Sequence, residues 1–268
     1  MSIAFWKMHG AGNDFILVDD REKTFPASDK SWMARIAARR TGVGCEGIVL
    51  IQPSTQSDFR MRFFNPDGSE VDMCGNGARC VARLAYEIGA APTGMSIETA
   101  AGQLRAEVLG DQVRLHLTPP RDWRLQRCLR LSTGVTEFGF VNSGVPHAVV
   151  QTTDLESLDV KRIGAEIRYH EEFAPAGTNA DFMKVVGPQA LRVRTYERGV
   201  EDETLACGTG IVACGLIAGR LGLITPPVRI TCASGDELTV DYTPTADGAE
   251  NVTLLGPAVH VFEGTLEY

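Results

Sequence analysis

The sequence predicts an α+β fold made of two pseudo-symmetric domains from an internal duplication, each a curved, mostly antiparallel sheet wrapped around a central helix. Three observations predict it. Two Cys-Gly-x-Gly strings, Cys74-Gly75-Asn76-Gly77 and Cys207-Gly208-Thr209-Gly210, stand 207 − 74 = 133 residues apart, about half of the 268-residue chain. Other landmarks share that spacing: Gly102 falls on Gly235, Gly44 on Gly177, and Arg60-Met-Arg-Phe-Phe-Asn65 on Arg192-Val-Arg-Thr-Tyr-Glu197 at 132. Each cysteine motif also opens a helical pattern flanked by short strand patterns, which is one α+β unit written twice.

Taken in order, Gly10-Ala11-Gly12-Asn13 is a tight turn before a strand over Phe15–Val18, with no helix pattern after it to make a phosphate loop. Phe59–Phe64 is a short apolar-aromatic strand closed by the turn Pro66-Asp67-Gly68. After Cys74, apolar residues at Ala78, Val81, Ala82 and Ala85 fall on one helical face, and Gly89 ends the helix. Strand pairs follow around Gly102 and Gly110. Thr118-Pro119-Pro120 then removes two ladder donors, so the join falls there. The domains are expected to be 1–118 and 119–260, with the segment 261–268 completing the first. In the second half the same series recurs: Leu191–Tyr196, a turn at Arg198-Gly199-Val200, a helix over Ile211–Gly222, and strand pairs around Gly235 and Gly248.

Composition sets the function class. With 44% apolar and 22% charged residues the chain is an ordinary globular protein, and its net charge of −8 gives no general drive toward nucleic acid or an anionic membrane. No apolar run approaches the roughly 18 residues needed to span a bilayer. The opening MSIAFWKMHGAGNDF lacks the apolar stretch and cleavage site of a signal peptide, so a cytoplasmic location and a small-molecule substrate are expected. The odd number of cysteines, seven, fits reduced thiols.

Cys74 and Cys207 each precede a helix, where the macrodipole and unpaired first-turn amides favour thiolate. Gly75, Gly77, Gly208 and Gly210 leave those amides open to an anion such as a carboxylate. Each half thus offers one acid/base thiol beside one anion cradle. Two such thiols suit inversion of a carbon stereocentre, which needs a base on one face and an acid on the other, with roles exchanged in reverse. His147 opens an apolar strand, and Glu197 ends the strand that leads to Cys207; either can trade protons with a thiol. Asn65, the repeat partner of Glu197, stands in the same relation to Cys74, while Asn13 and Asn179 sit in tight turns. Cys80, Cys214, Cys45 and Cys232 read as core residues, and the Cys-x5-Cys and Cys-x6-Cys spacings do not match a zinc knuckle, so no metal is expected.

The strings KMHGAGNDF (7–15), FFNPDGSEVDMCGNGARC (63–80), YERGVEDETLACGTG (196–210) and GPAVHVFEG (256–264) resemble the diaminopimelate epimerase family over nearly the whole chain. The resemblance implies an isomerase of lysine and peptidoglycan-precursor biosynthesis that converts LL-2,6-diaminopimelate to the meso isomer without pyridoxal phosphate, other cofactor or metal, as a homodimer. It makes Cys74 and Cys207 the thiolate and thiol pair, assisted by His147 and Glu197. It makes Asn13, Asn65, Gly75, Asn76, Asn179, Glu197, Arg198, Gly208 and Thr209 the substrate-binding residues, with Arg198 gripping the distal carboxylate. Two positions depart from the family pattern: Gly47 where many members have Gln, and Val145 where many have Asn. Asn142 and Ser143 are nearby groups that could compensate.

Three other readings compete. A related cofactor-independent racemase of a single-centre amino acid would not need the distal charges of Glu197-Arg198. A redox switch would join Cys74 and Cys207 in a disulfide but leaves the anion cradles unexplained. A binding protein on the same fold has no use for both thiols.

Overall fold

Strand and helix spacing in the computed structural model, which describes residues 1–268, repeats the offset seen in the sequence. The chain forms two compact units, Met1–His116 with Leu255–Tyr268, and Leu117–Leu254. The first contains β1 (Ser2–Gly10), β2 (Asn13–Asp19), α1 (Lys30–Ala37), β3 (Gly47–Gln52), β4 (Phe59–Phe64), β5 (Glu70–Val71), α2 (Gly75–Glu87), β6 (Gly94–Thr99), β7 (Gly102–Leu109) and β8 (Gln112–His116). The second contains β9 (Arg121–Leu131), β10 (Gly134–Asn142), β11 (Pro146–Gln151), α3 (Val160–Arg168), β12 (Asn179–Gly187), β13 (Ala190–Glu197), β14 (Asp202–Thr204), α4 (Gly208–Arg220), β15 (Val228–Thr231), β16 (Glu237–Pro244) and most of β17 (Ala249–Pro257), whose last three residues fall in the first unit. β18 (Val259–Glu267) returns to pair antiparallel with β1.

Pairing sense is the same in both units. β1–β2 is antiparallel, β2–β3 parallel, β3–β4 antiparallel and β4–β6 parallel. Their counterparts β10–β11, β11–β12, β12–β13 and β13–β15 follow the same order of senses. Register is conserved to the residue: Phe15 faces Gly47 and Val49 faces Phe63, while His147 faces Asn179 and Asp181 faces Thr195, each shifted by 132.

α2 touches β1, β2, β3, β4, β7 and β8, and α4 touches β10, β11, β12, β13, β15 and β16, so each sheet wraps its helix. A helix surrounded in this way must be apolar or small on nearly every side. Every residue of α4 from Gly210 to Ala218 is buried, and α2 is buried continuously from Asn76 to Ala82. Burying side chains such as Ile211, Val212, Leu216 and Ile217 contributes about 1.5–3 kcal/mol each.

Each unit carries a second helix that the one-helix reading omitted. α1 and α3 are amphipathic helices of 8 and 9 residues whose Asp29 and Asp159 side chains accept the Trp32 and Arg162 amides at 2.9 and 3.1 Å. α1 joins a cluster with Phe25, Trp32, Met33, Ile48 and Phe64. α3 joins one with Phe138, Phe140, Phe173, Phe182 and Tyr196.

Candidate active site

Both cysteines are the N-cap residues of the enclosed helices, held in extended backbone (Cys74 φ −134°, ψ 121°; Cys207 φ −108°, ψ 107°). Such a residue lies at the positive end of the helix, where the first-turn amides lack intrahelical partners. The Pro66-Asp67-Gly68 turn, with Gly68 at φ +78°, leads from β4 to β5 and on to Cys74. The β13–β14 hairpin leads to Cys207 in the same way. Of the glycines, Gly75 faces open space, which keeps the first turn of α2 accessible. Gly77 and Gly210 have a different role from the expected one, since both face the sheet beneath. A Cβ on Gly210 would lie 2.2 Å from Asp181 Oδ1.

In the first unit Cys74 is half-buried and its thiol donates to Asn13 Oδ1 at 3.7 Å. The same oxygen accepts from Asn76 Nδ2 at 3.3 Å, and Asn13 in turn donates to Glu46. Asn76 Oδ1 accepts from Arg79 at 2.9 Å, and Arg79, fully buried in α2, also donates to the Pro257 carbonyl at 3.2 Å. Cys74, Asn13 and Asn76 are therefore joined, while Asn65 stands apart, donating to Ser69 Oγ at 3.2 Å.

In the second unit Cys207 is buried, and its sulfur lies 3.5 Å from Thr209 Oγ1. Thr209 Oγ1 is 2.9 Å from His147 Nε2, and His147 Nδ1 is 2.7 Å from Asp181 Oδ2. Thr195 Oγ1 donates to Asp181 Oδ1 at 2.8 Å. Burial first, then the Glu197 and Asp181 carboxylates, pushes the Cys207 thiol well above its usual range; the Thr209 hydroxyl and the Gly210 amide pull the other way. The thiolate preference expected from the helix start is thus opposed at Cys207.

Glu197 Oε2 accepts from Thr204 Oγ1 at 3.0 Å. Asn179 braces the following turn, accepting the Arg198 amide at 2.8 Å and donating to the Pro146 carbonyl at 3.0 Å. The Arg198 guanidinium donates to the Ala176 carbonyl at 3.0 Å and has no carboxylate within ion-pair distance, unlike Arg168 and Arg194 nearby, which pair with Glu201 and Glu203. At Gly47 a Cβ would lie 2.4 Å from Phe63, so the ring fills the space a longer side chain would need. Asn142 and Ser143 are engaged locally: Asn142 Oδ1 accepts the Gly144 amide at 3.1 Å and Ser143 Oγ donates to the Thr209 carbonyl at 2.8 Å. Asp181, Thr195 and Arg79 are site residues that sequence reasoning missed. The available signal was a polar or charged residue where the repeat partner (Val49, Phe63, Val212) is apolar.

The diaminopimelate epimerase family profile matches residues 5–121 and 139–261. The chain belongs to the diaminopimelate epimerase family. It is 42% identical to the diaminopimelate epimerase of Aquifex aeolicus over 98% of this chain and 97% of that one, and 44% identical to that of Chlorobaculum tepidum over 97% and 99%. Among solved structures, a PhzF-family phenazine biosynthesis protein from Bacillus anthracis superposes with a TM-score of 0.77 at 16% identity, covering all of both chains. A hydroxyproline epimerase from Agrobacterium vitis does so at 0.66 and 17%, covering 99% of this chain and 92% of that one. These distant likenesses show the shared fold. As a member of the diaminopimelate epimerase family the protein is an isomerase, and no helix is long and apolar enough to cross a membrane.

Proposed function

We propose that the protein interconverts LL- and meso-2,6-diaminopimelate by proton transfer between Cys74, Cys207 and one substrate α-carbon, without pyridoxal phosphate or a metal. The observation that carries the reading is the duplicated N-cap cysteine, one at the start of each enclosed helix. In one direction a thiolate takes the α-proton as the Cα–H bond breaks, and the other thiol gives its proton to the opposite face. The enzyme is left with the roles of its sulfurs exchanged. First-turn amides at Gly75, Asn76, Gly208 and Thr209 receive the reacting carboxylate and stabilise charge developing on it.

Asn13, Asn65, Asn179 and Glu197 hold the rest of the substrate, and Arg198, free of a carboxylate partner, takes the distal carboxylate. The reading includes a cytoplasmic enzyme of lysine and peptidoglycan-precursor synthesis acting as a homodimer, for which exposed Val261 and Phe262 supply apolar surface.

The test is to incubate the reduced protein in deuterium oxide with LL-diaminopimelate, and separately with proline, hydroxyproline and histidine, following α-deuterium by NMR. Exchange and meso product confined to diaminopimelate is expected. Exchange only in another amino acid would move the substrate, and no exchange in any of them would remove the enzymatic reading.

A further inference from the structure

The fold places a different trio beneath each helix start. At matched register positions the first unit has Phe15, Val49 and Phe63, with Phe15 and Phe63 in edge contact at 6.0 Å, and Gly77 seated over Phe15 and Val49. The second has His147, Asp181 and Thr195, with Gly210 seated over Asp181 and Thr195. The hydrocarbon trio shows that this architecture packs without polar groups there. A histidine and a carboxylate, both with side chains 0% exposed, are costly to bury unless hydrogen-bonded, and a packing role would be served as well by the apolar set. Their bonds lead outward through Thr209 to the Cys207 sulfur.

Beyond the assistance by His147 already expected, we infer that Asp181 and Thr195 are positioning residues that hold His147, and that Thr209 bridges it to the buried Cys207, so that the thiol's proton has a path inward. The inference rests on the two-thiol reading above. A carboxylate only accepts, so His147 Nδ1–H donates to Asp181 and leaves Nε2 to accept the Thr209 hydroxyl, whose oxygen in turn accepts the Cys207 S–H. When the thiol ionises, its S–H proton passes to Thr209 Oγ as the Thr209 O–H proton passes to His147 Nε2. The products are a thiolate, an intact hydroxyl now donating to it, and an imidazolium against Asp181. Protons and charge balance within the chain. The remaining titratable groups facing Cys207 are Glu197 on β13 and Cys214 on α4 itself. At the other helix start the half-buried Cys74 donates to Asn13 Oδ1, and the residue at the register position of His147 is Phe15.

The test is the pH profile of Cys207 alkylation by iodoacetamide in a Cys74→Ala background, located by peptide mass spectrometry. Thiol–imidazole and thiolate–imidazolium forms carry the same net charge, so the relay gives a pH-independent plateau near neutrality before the alkaline rise. Asp181→Asn and Thr209→Val are expected to lower that plateau at least about tenfold, equivalent to one pKa unit, so that the alkaline limb dominates the profile. Thr209→Ser is expected to keep it. Thr209→Val leaves the His147–Asp181 pair in place, and thermal unfolding of each variant checks the fold. A plateau that survives Thr209→Val in folded protein, or is absent from the parent, overturns the relay. Because alkylation needs no substrate, failure of diaminopimelate turnover in the wild type would remove the substrate reading separately.

Discussion

The two helix starts have the same backbone, register and cysteine, yet they are furnished in opposite ways. Around Cys74 the hydrogen bonds run through two amides, Asn13 and Asn76, to the buried cation of Arg79. Around Cys207 they run through a hydroxyl and an imidazole to the buried anion of Asp181. Cys74 is half-buried, whereas Cys207 is 7% exposed and its bonded path runs inward through Thr209 to His147. Duplication thus supplied two geometrically equivalent sulfurs, and divergence beneath them gave each its own means of handling a proton.

The largest expected effect tests whether both halves are needed. Cys74→Ala and Cys207→Ala should each lower epimerase kcat by at least about 10²–10⁴-fold, the usual worth of a general acid or base, while circular dichroism is unchanged. Near-wild-type turnover by either variant would break the equivalence of the two sulfurs.

The next asks whether the halves differ in binding. Arg198 has Pro66 as its repeat partner, so only the second unit offers a cation at this turn. Arg198→Ala should raise KM for diaminopimelate about 10–100-fold, corresponding to about 1.5–3 kcal/mol for a charge-assisted contact, with a smaller change in kcat. An unchanged KM would remove Arg198 from the distal end.

The paired glycines sharpen the contrast further. A Cβ at Gly77 meets its nearest neighbour at 3.5 Å, so Gly77→Ala should be neutral or stabilise by up to about 1 kcal/mol through helix propensity. The same change at Gly210 drives into Asp181 and should cost about 1–3 kcal/mol. Urea unfolding of the two variants measures the difference, and equal effects would mean the polar trio is not tightly packed under α4.

Stability should also fall in alkali. Burial pushes Cys45 up to about 11 and Cys80 up to about 12, and raises Cys214 and Cys207 as well. The folded chain therefore keeps protons that the unfolded chain loses above about pH 8.5. Each such thiol contributes stability fully present below that pH and lost at about 1.4 kcal/mol per pH unit as pH climbs toward its folded value. Urea unfolding at pH 8 and pH 10 checks the sign, and equal stability at the two would contradict the buried thiols.

Legibility in the sequence followed the strength of local signals. The Cys-Gly-x-Gly motifs, the 3.6-residue period after each, and the strand Phe59–Phe64 declare themselves locally and match the observed elements. α1 and α3 are short, and their Asp29 and Asp159 caps stand out only when the two halves are aligned. Asp181 and Thr195 lie in strands β12 and β13, which also carry Lys184, Arg192 and Arg194, and nothing local tells a buried Asp from a solvated one. Their partner His147 lies on a third strand, so only the sheet register joins them.

The most direct test of the two-thiol account is early product analysis in deuterium oxide, starting from LL-diaminopimelate and stopping within the first few per cent of conversion. Two sulfurs on opposite faces put solvent deuterium at the inverted α-carbon of the meso product while recovered LL substrate stays protiated. Deuterium appearing equally in recovered substrate and product would mean that one group both removes and returns the proton, and would contradict the paired roles of Cys74 and Cys207.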